Sequence, residues 1–128
     1  MVEIVSDPFP SDMDLRALWL SAWEDFGPES FAPILARGIG HAGAYEDELL
    51  VGFVNVAWDG GVHAFILDTC VHKDFQRQGI ATRLLYRATE LARDRGAHWL
   101  HVDFEPRLTT LYRAAGFGPT AAGLKRLR

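Results

Sequence analysis

A chain of 128 residues, 48% hydrophobic and 23% charged, can bury one sizeable core and is too ordinary in composition for a disordered or fibrous protein. Its formal net charge of −4 argues against a general nucleic-acid binder, because phosphate backbones select basic faces. One cysteine, Cys70, leaves no internal disulfide and no thiolate-based zinc site.

The longest apolar run, Leu49 to Trp58, contains Asn55 and is too short to cross a bilayer. The opening MVEIVSDPFP lacks the basic-then-apolar pattern of a secretory signal. The expectation is a single cytoplasmic domain over residues 1–128, with no metal, membrane or nucleic-acid partner.

Val2 to Val5 reads as a first strand, stopped by Pro8 and Pro10. Ser11, with Asp14 three residues on, is placed to cap a helix. Leu15, Leu18, Trp19, Ala22 and Phe26 carry its apolar face as far as Gly27-Pro28. A shorter helix is expected over Ser30 to Arg37. From His41 to Val71 the period changes to that of three strands, turning at Glu46 to Glu48 and at the Asp-Gly-Gly of residues 59 to 61. A helix follows, with Ile80, Leu84, Leu85, Ala88, Leu91 and Ala92 on one face and Arg83, Arg87, Glu90 and Arg93 on the other. HWLHVDF, residues 98 to 104, reads as a strand, Leu108 to Ala115 as a helix ended by Gly116, and the remainder as a short strand or two. Strand His63–Val71, its helix and the next strand make a right-handed parallel βαβ unit. The fold class is therefore α+β (mixed α/β), with a mainly antiparallel sheet and about four helices.

The turn between strand and helix is polar where packing needs nothing polar. A helix start leaves N–H groups without internal partners, and their partial positive charge attracts anions. Gly79 and the small Ala81 let a phosphate approach, while Gln76, Arg77, Gln78 and Thr82 supply side-chain donors. Taken alone, the turn reads equally well as a glycine that serves geometry only. His98 and His101 fall on opposite faces of a strand and cannot share one metal. Cys70 reads as a small core residue. Trp19, Trp23, Phe26 and Phe31 mostly pack on the sheet or else line an acceptor pocket.

QRQGIA, Gln76 to Ala81, resembles the Gln/Arg-x-x-Gly-x-Gly/Ala motif of the GNAT superfamily of acyl-CoA-dependent N-acetyltransferases. LDTCVHKDF before it and LYRAAGF, Leu111 to Phe117, after it are similar to that family's central strand and its tyrosine-bearing helix. The resemblance implies a GNAT-like sheet whose two parallel strands splay to admit acetyl-CoA as co-substrate. It implies that Gln76, Arg77, Gln78, Gly79, Ile80, Ala81 and Thr82 hold the pyrophosphate, and that the backbone of Cys70 and Val71 faces the pantetheine arm. One N–H of that pair would polarise the thioester carbonyl. Tyr112 matches the general acid that protonates the departing thiolate. No motif assigns the base: Asp68, Asp103, Glu105 and His72 are all placed for it, with Asp68 and Glu105 preferred. Glu105 also stands where many family members carry an Asn that bonds the arm, and an ionised carboxylate cannot donate that bond. The expected activity is acetyl transfer to a primary amine of a small molecule or protein. The alternative is a module that binds coenzyme A without turnover. The terminal strands leave edges that a homodimer would cover.

Overall fold

The computed structural model describes residues 1–128. Five strands lie in the order of the sequence: β1 (Val2–Ser6), β2 (Gly38–Glu46), β3 (Leu49–Trp58), β4 (His63–Val71) and β5 (Trp99–His101). The first four pair antiparallel and β5 joins β4 in parallel. Four helices flank them: α1 (Asp12–Trp23), α2 (Ala32–Ala36), α3 (Ile80–Asp94) and α4 (Thr109–Ala114). This is the mixed, mainly antiparallel sheet expected from the sequence.

Alternation along β3 divides the interior. Val51, Val54 and Val56 meet Ile80, Leu84, Leu85 and Ala88 of α3 and Tyr112 of α4. Leu50 and Phe53 meet Leu15, Leu18 and Trp19 of α1 and Phe31 and Leu35 around α2. Each face of the sheet thus has its own core: successive side chains point to opposite sides, and the register shift beside Ala44–Tyr45 adds one residue to β3 between Leu50 and Gly52, so that Val51 shares the face of Val54 and Val56.

The ends of α1 follow from local chemistry. Ser11 Oγ accepts the Asp14 N–H at 3.1 Å, and Asp12 and Asp14 complement the positive end of the helix. The helix stops at Trp23, short of the expected Gly27-Pro28, because Glu24 takes a left-handed φ of 55° and its N–H bonds the Leu20 carbonyl. Gly27 then passes so close to Trp19 that a Cβ there would lie 2.6 Å from the indole Cδ1. Trp19 and Phe31 are buried, whereas Trp23 and Phe26 are exposed.

A polar knot ties β1 to the rest. Asp7 Oδ2 bonds Arg95 Nη2 at 2.7 Å, and Asp7 Oδ1 accepts the His41 N–H at 3.0 Å. His41, fully buried on β2, accepts the Phe9 N–H at Nε2 (3.0 Å). Arg95 Nη1 also donates to the Ile39 carbonyl at 3.0 Å. The arginine-rich face of α3 is therefore not merely solvated. Arg83 donates to the Val2 carbonyl at 2.9 Å and Arg87 to the Ile4 carbonyl at 3.2 Å, so both engage the outer edge of β1.

Two expectations need correction. The strand expected over residues 98–104 is only Trp99–His101, paired with His63, Ala64 and Phe65. No closing strand exists: residues 118–128 have no regular structure and are exposed. Pro119, Gly118 and Gly123 interrupt the tail, Leu124 and Leu127 find no apolar face, and so short a β5 offers little edge to pair with.

Candidate active site

The short pairing of β5 is what opens the molecule. β4 continues from Ile66 to Val71 with no partner on its β5 side. The chain after His101 leaves the sheet instead, and a fork opens between the two strands.

Along one arm of the fork the backbone of β4 is aimed by hydrogen bonding. His72 N–H bonds the Val51 carbonyl at 2.7 Å. In an antiparallel ladder alternate residues point their N–H and C=O to opposite sides. Val71 therefore presents both groups away from β3, into the fork, while Cys70 turns its own toward β3. Gln76 Nε2 donates to the outward Val71 carbonyl at 3.1 Å, which fixes the start of the turn. The Cys70 side chain is buried among α1 residues, and burial, followed by the charge of Asp68, pushes its thiol pKa up.

The turn leads into α3. His72 Nδ1 accepts the Asp74 N–H at 3.1 Å and starts a 3-10 turn over Lys73–Phe75. Ser21 of α1 accepts the Lys73 N–H at 3.1 Å and anchors that turn. Arg77 and Gly79 then take left-handed φ values of 63° and 79°, and Gly79 caps α3 with no side-chain acceptor. None of the backbone N–H groups from Gln76 to Thr82 has a partner in the chain. They lie at the positive end of a 15-residue helix, and a Cβ at Gly79 would meet nothing within 4 Å. The arrangement is an open turn lined with unpartnered donors, which is the chemistry an anion requires.

Tyr112 closes the other side. It is only 5% exposed. Phe104 stacks on its ring at 4.5 Å and 14°, and Phe117 meets it edge-on at 5.9 Å. Gly116, at φ 97°, lets the Phe117 N–H turn back to the Tyr112 carbonyl at 3.1 Å. That is the physical content of the Leu111–Phe117 motif. Burial raises the phenol pKa; the Thr69 hydroxyl facing it works against that, and the charge of Asp103 adds to it.

The acidic candidates fare differently. Asp68 lies in a bulge of β4 with a left-handed φ of 60°, half-buried, and burial raises its carboxyl pKa. Glu105 starts a 3-10 turn at the surface, where Arg107 Nε bonds it at 2.8 Å. Its carboxylate is 71% exposed and makes no hydrogen bond to Tyr112 or Asp68. Residue-type reasoning missed Thr69 and Phe104, and it grouped Cys70 with Val71 although only Val71 aims its backbone groups outward. The one visible signal was the polar pair Asp68-Thr69 inside an otherwise apolar strand. His101, judged against His98, instead meets His63 of β4 at 2.8 Å between ring nitrogens.

A model of the acetyltransferase (GNAT) family matches residues 1–117. The chain belongs to that family. It is 30% identical over 76 residues to an uncharacterized N-acetyltransferase of Porphyra purpurea, covering 59% of this chain and 44% of the relative. The chain thus matches less than half the length of that curated relative. A probable acetyltransferase of meticillin-resistant Staphylococcus aureus superposes with a TM-score of 0.85 at 22% identity, over 100% of both chains. An aminoglycoside N-acetyltransferase in complex with CoA gives 0.77 at 17% identity, over 100% of this chain and 95% of the other. At these identities the structures establish a shared fold. In the family's terms, the fork, the donor-lined turn and the buried tyrosine fall within the matched segment. No helix is long and apolar enough to cross a membrane.

Proposed function

We propose that this chain is an N-acetyltransferase that moves the acetyl group of acetyl-CoA directly to a primary amine. The observation that carries the reading is the uninterrupted run of unpartnered N–H groups from Gln76 to Thr82 at the head of α3, next to the fork that Tyr112 closes. The residues present fit acetyl-CoA. Gln76, Arg77, Gln78, Gly79, Ile80, Ala81 and Thr82 would hold the pyrophosphate through backbone donors. The exposed edge of β4 at Val71 would pair with the pantetheine amides as an added strand does.

In the reaction the amine nitrogen bonds the thioester carbon and the carbon–sulfur bond breaks. The Val71 N–H, pointing into the fork, stabilises the carbonyl oxygen as it gains charge. Tyr112 gives its phenolic proton to the departing sulfur, which keeps the step from reversing. Asp68 takes the proton lost by the amine, directly or through water. A carboxyl raised by burial is better matched to that task near neutral pH than an ordinary one. Glu105, ion-paired at the surface, is left to acceptor recognition. The net charge of −4 favours a cationic acceptor, whether a small amine or a protein amine.

The test has two parts. Acetyl-CoA should raise the melting temperature, and a free-thiol assay over a panel of amines should show turnover. Tyr112→Phe should retain the melting shift and lose about a hundredfold in kcat. A melting shift with no turnover on any amine would make the chain a coenzyme A-binding module instead. No shift at saturating acetyl-CoA would end both readings.

A further inference from the structure

Two buried side-chain oxygens lack a hydrogen-bond partner, Asn55 Oδ1 and Thr69 Oγ1. Asn55 is enclosed within the sheet between β2 and β4. Thr69 is different, because the register shift in β4 puts it on the face that carries Ile66 and Tyr112, where its hydroxyl neighbours the phenol without a hydrogen bond between them.

The bulge in β4 is what brings it there. Between the pairs Asn55–Leu67 and Phe53–Cys70, two steps along β3 match three along β4. In a regular strand Ala64, Ile66 and Cys70 would share one face. Here Ala64 and Ile66 join the core under α3, while Cys70 joins the core under α1. The extra residue, taken up with Asp68 at positive φ, reverses the alternation and turns Thr69 toward Tyr112. Bulges of this kind re-aim side chains near active sites. Phe104 and Phe117 hold the ring in place and offer its oxygen nothing polar. The α3 residues in the same core are apolar. Asp103 is the charged group that acts on the phenol.

We propose that Thr69 is a positioning residue for Tyr112: its unpaired hydroxyl is placed to donate to the phenol oxygen as charge develops there, leaving the phenolic proton directed into the fork. A hydroxyl with a single polar neighbour gives its proton to that neighbour or wastes it. When Tyr112 passes its proton to the leaving sulfur, the phenolate oxygen gains a full charge and the bond from Thr69 forms at full strength. Thr69 keeps its own proton throughout, and Tyr112 recovers one from solvent after product leaves. This role rests on the acetyltransferase reading, but the pairing of the two side chains does not.

The experiment uses the full chain and three variants. Thr69→Val keeps the shape and removes the hydroxyl, Thr69→Ser restores it, and Thr69→Ala serves if the valine variant does not fold. Ring-labelled tyrosine followed by NMR, with Tyr112 assigned from Tyr112→Phe, gives the phenol titration without any substrate. We expect the titration to move to higher pH in Thr69→Val and to return to the wild-type position in Thr69→Ser. In turnover, kcat should fall about tenfold in Thr69→Val with KM for acetyl-CoA changed by less than about twofold, and Thr69→Ser should recover most of it. An unmoved titration, a serine variant that behaves like the valine one, or a loss confined to KM would each overturn the assignment. If the wild-type chain turns over no amine, the acetyltransferase reading fails, and the titration alone decides whether the pair exists.

Discussion

At Gly79 the backbone carries the constraint, not the space around it. Its φ of 79° is one that a residue with a Cβ adopts at a cost of about 1 kcal/mol, although nothing stands within 4 Å of where that Cβ would be. Gly79→Ala should therefore lower the melting temperature only slightly in the free chain. It should reduce the stabilisation by acetyl-CoA much more, since the turn relaxes away from the geometry that lines up its donors. Paired thermal melts with and without the ligand measure the difference. Asp68 makes a second prediction, through linkage. Burial raises its folded pKa above the ordinary value near 4, so the folded chain holds a proton that the unfolded chain has released. Stability from this group is therefore lost as pH rises from about 4 through the folded pKa. Asp68→Asn should melt above the wild type at pH 7.5, with the gap closing toward pH 4, while turnover falls.

Among the elements, the knot joining β1, β2 and the end of α3 has the opposite pH sign. Burial pushes the Asp7 carboxyl up, but Arg95 and the His41 N–H outweigh it and hold its pKa below the ordinary value. Burial pushes the His41 ring down, so that it stays neutral and accepts from Phe9. A histidine with a depressed folded pKa contributes stability that is complete above its ordinary value near 6.5 and is lost as pH falls. Melting temperature should drop between pH 7 and pH 5, and His41→Gln should flatten that drop. The α3 packing gives a pH-independent check: Leu84 is fully buried against the sheet, and Leu84→Ala should cost about 3 kcal/mol in denaturant unfolding. The seat of α3 was legible in the sequence, because its apolar stripe and the Gly79 turn are local patterns. So was the placing of Tyr112 on a short helix closed by Gly116. The length of β5 was not, since where a strand stops is set by where its neighbour turns away. The bulge at Asp68-Thr69 was hidden for a related reason: one extra residue reverses a strand's facing without altering its composition. The Asp7–His41–Arg95 knot joins residues far apart in the chain, and no local pattern announces such a meeting.

Across the whole molecule, the two rims of the sheet differ in chemistry. β1 presents its carbonyls to Arg83 and Arg87, which engage them from α3. β5 has a partner on one side alone, and the exposed residues 118–128 form no strand against the other. Sheet-to-sheet recruitment is therefore favoured at β5 over β1. Two copies meeting along β5 would fuse into a continuous layer whose outer borders are both β1, each with its Val2 and Ile4 carbonyls already engaged by guanidinium groups. A further copy adding along β1 would have to displace those bonds, so growth by that route is disfavoured beyond a pair.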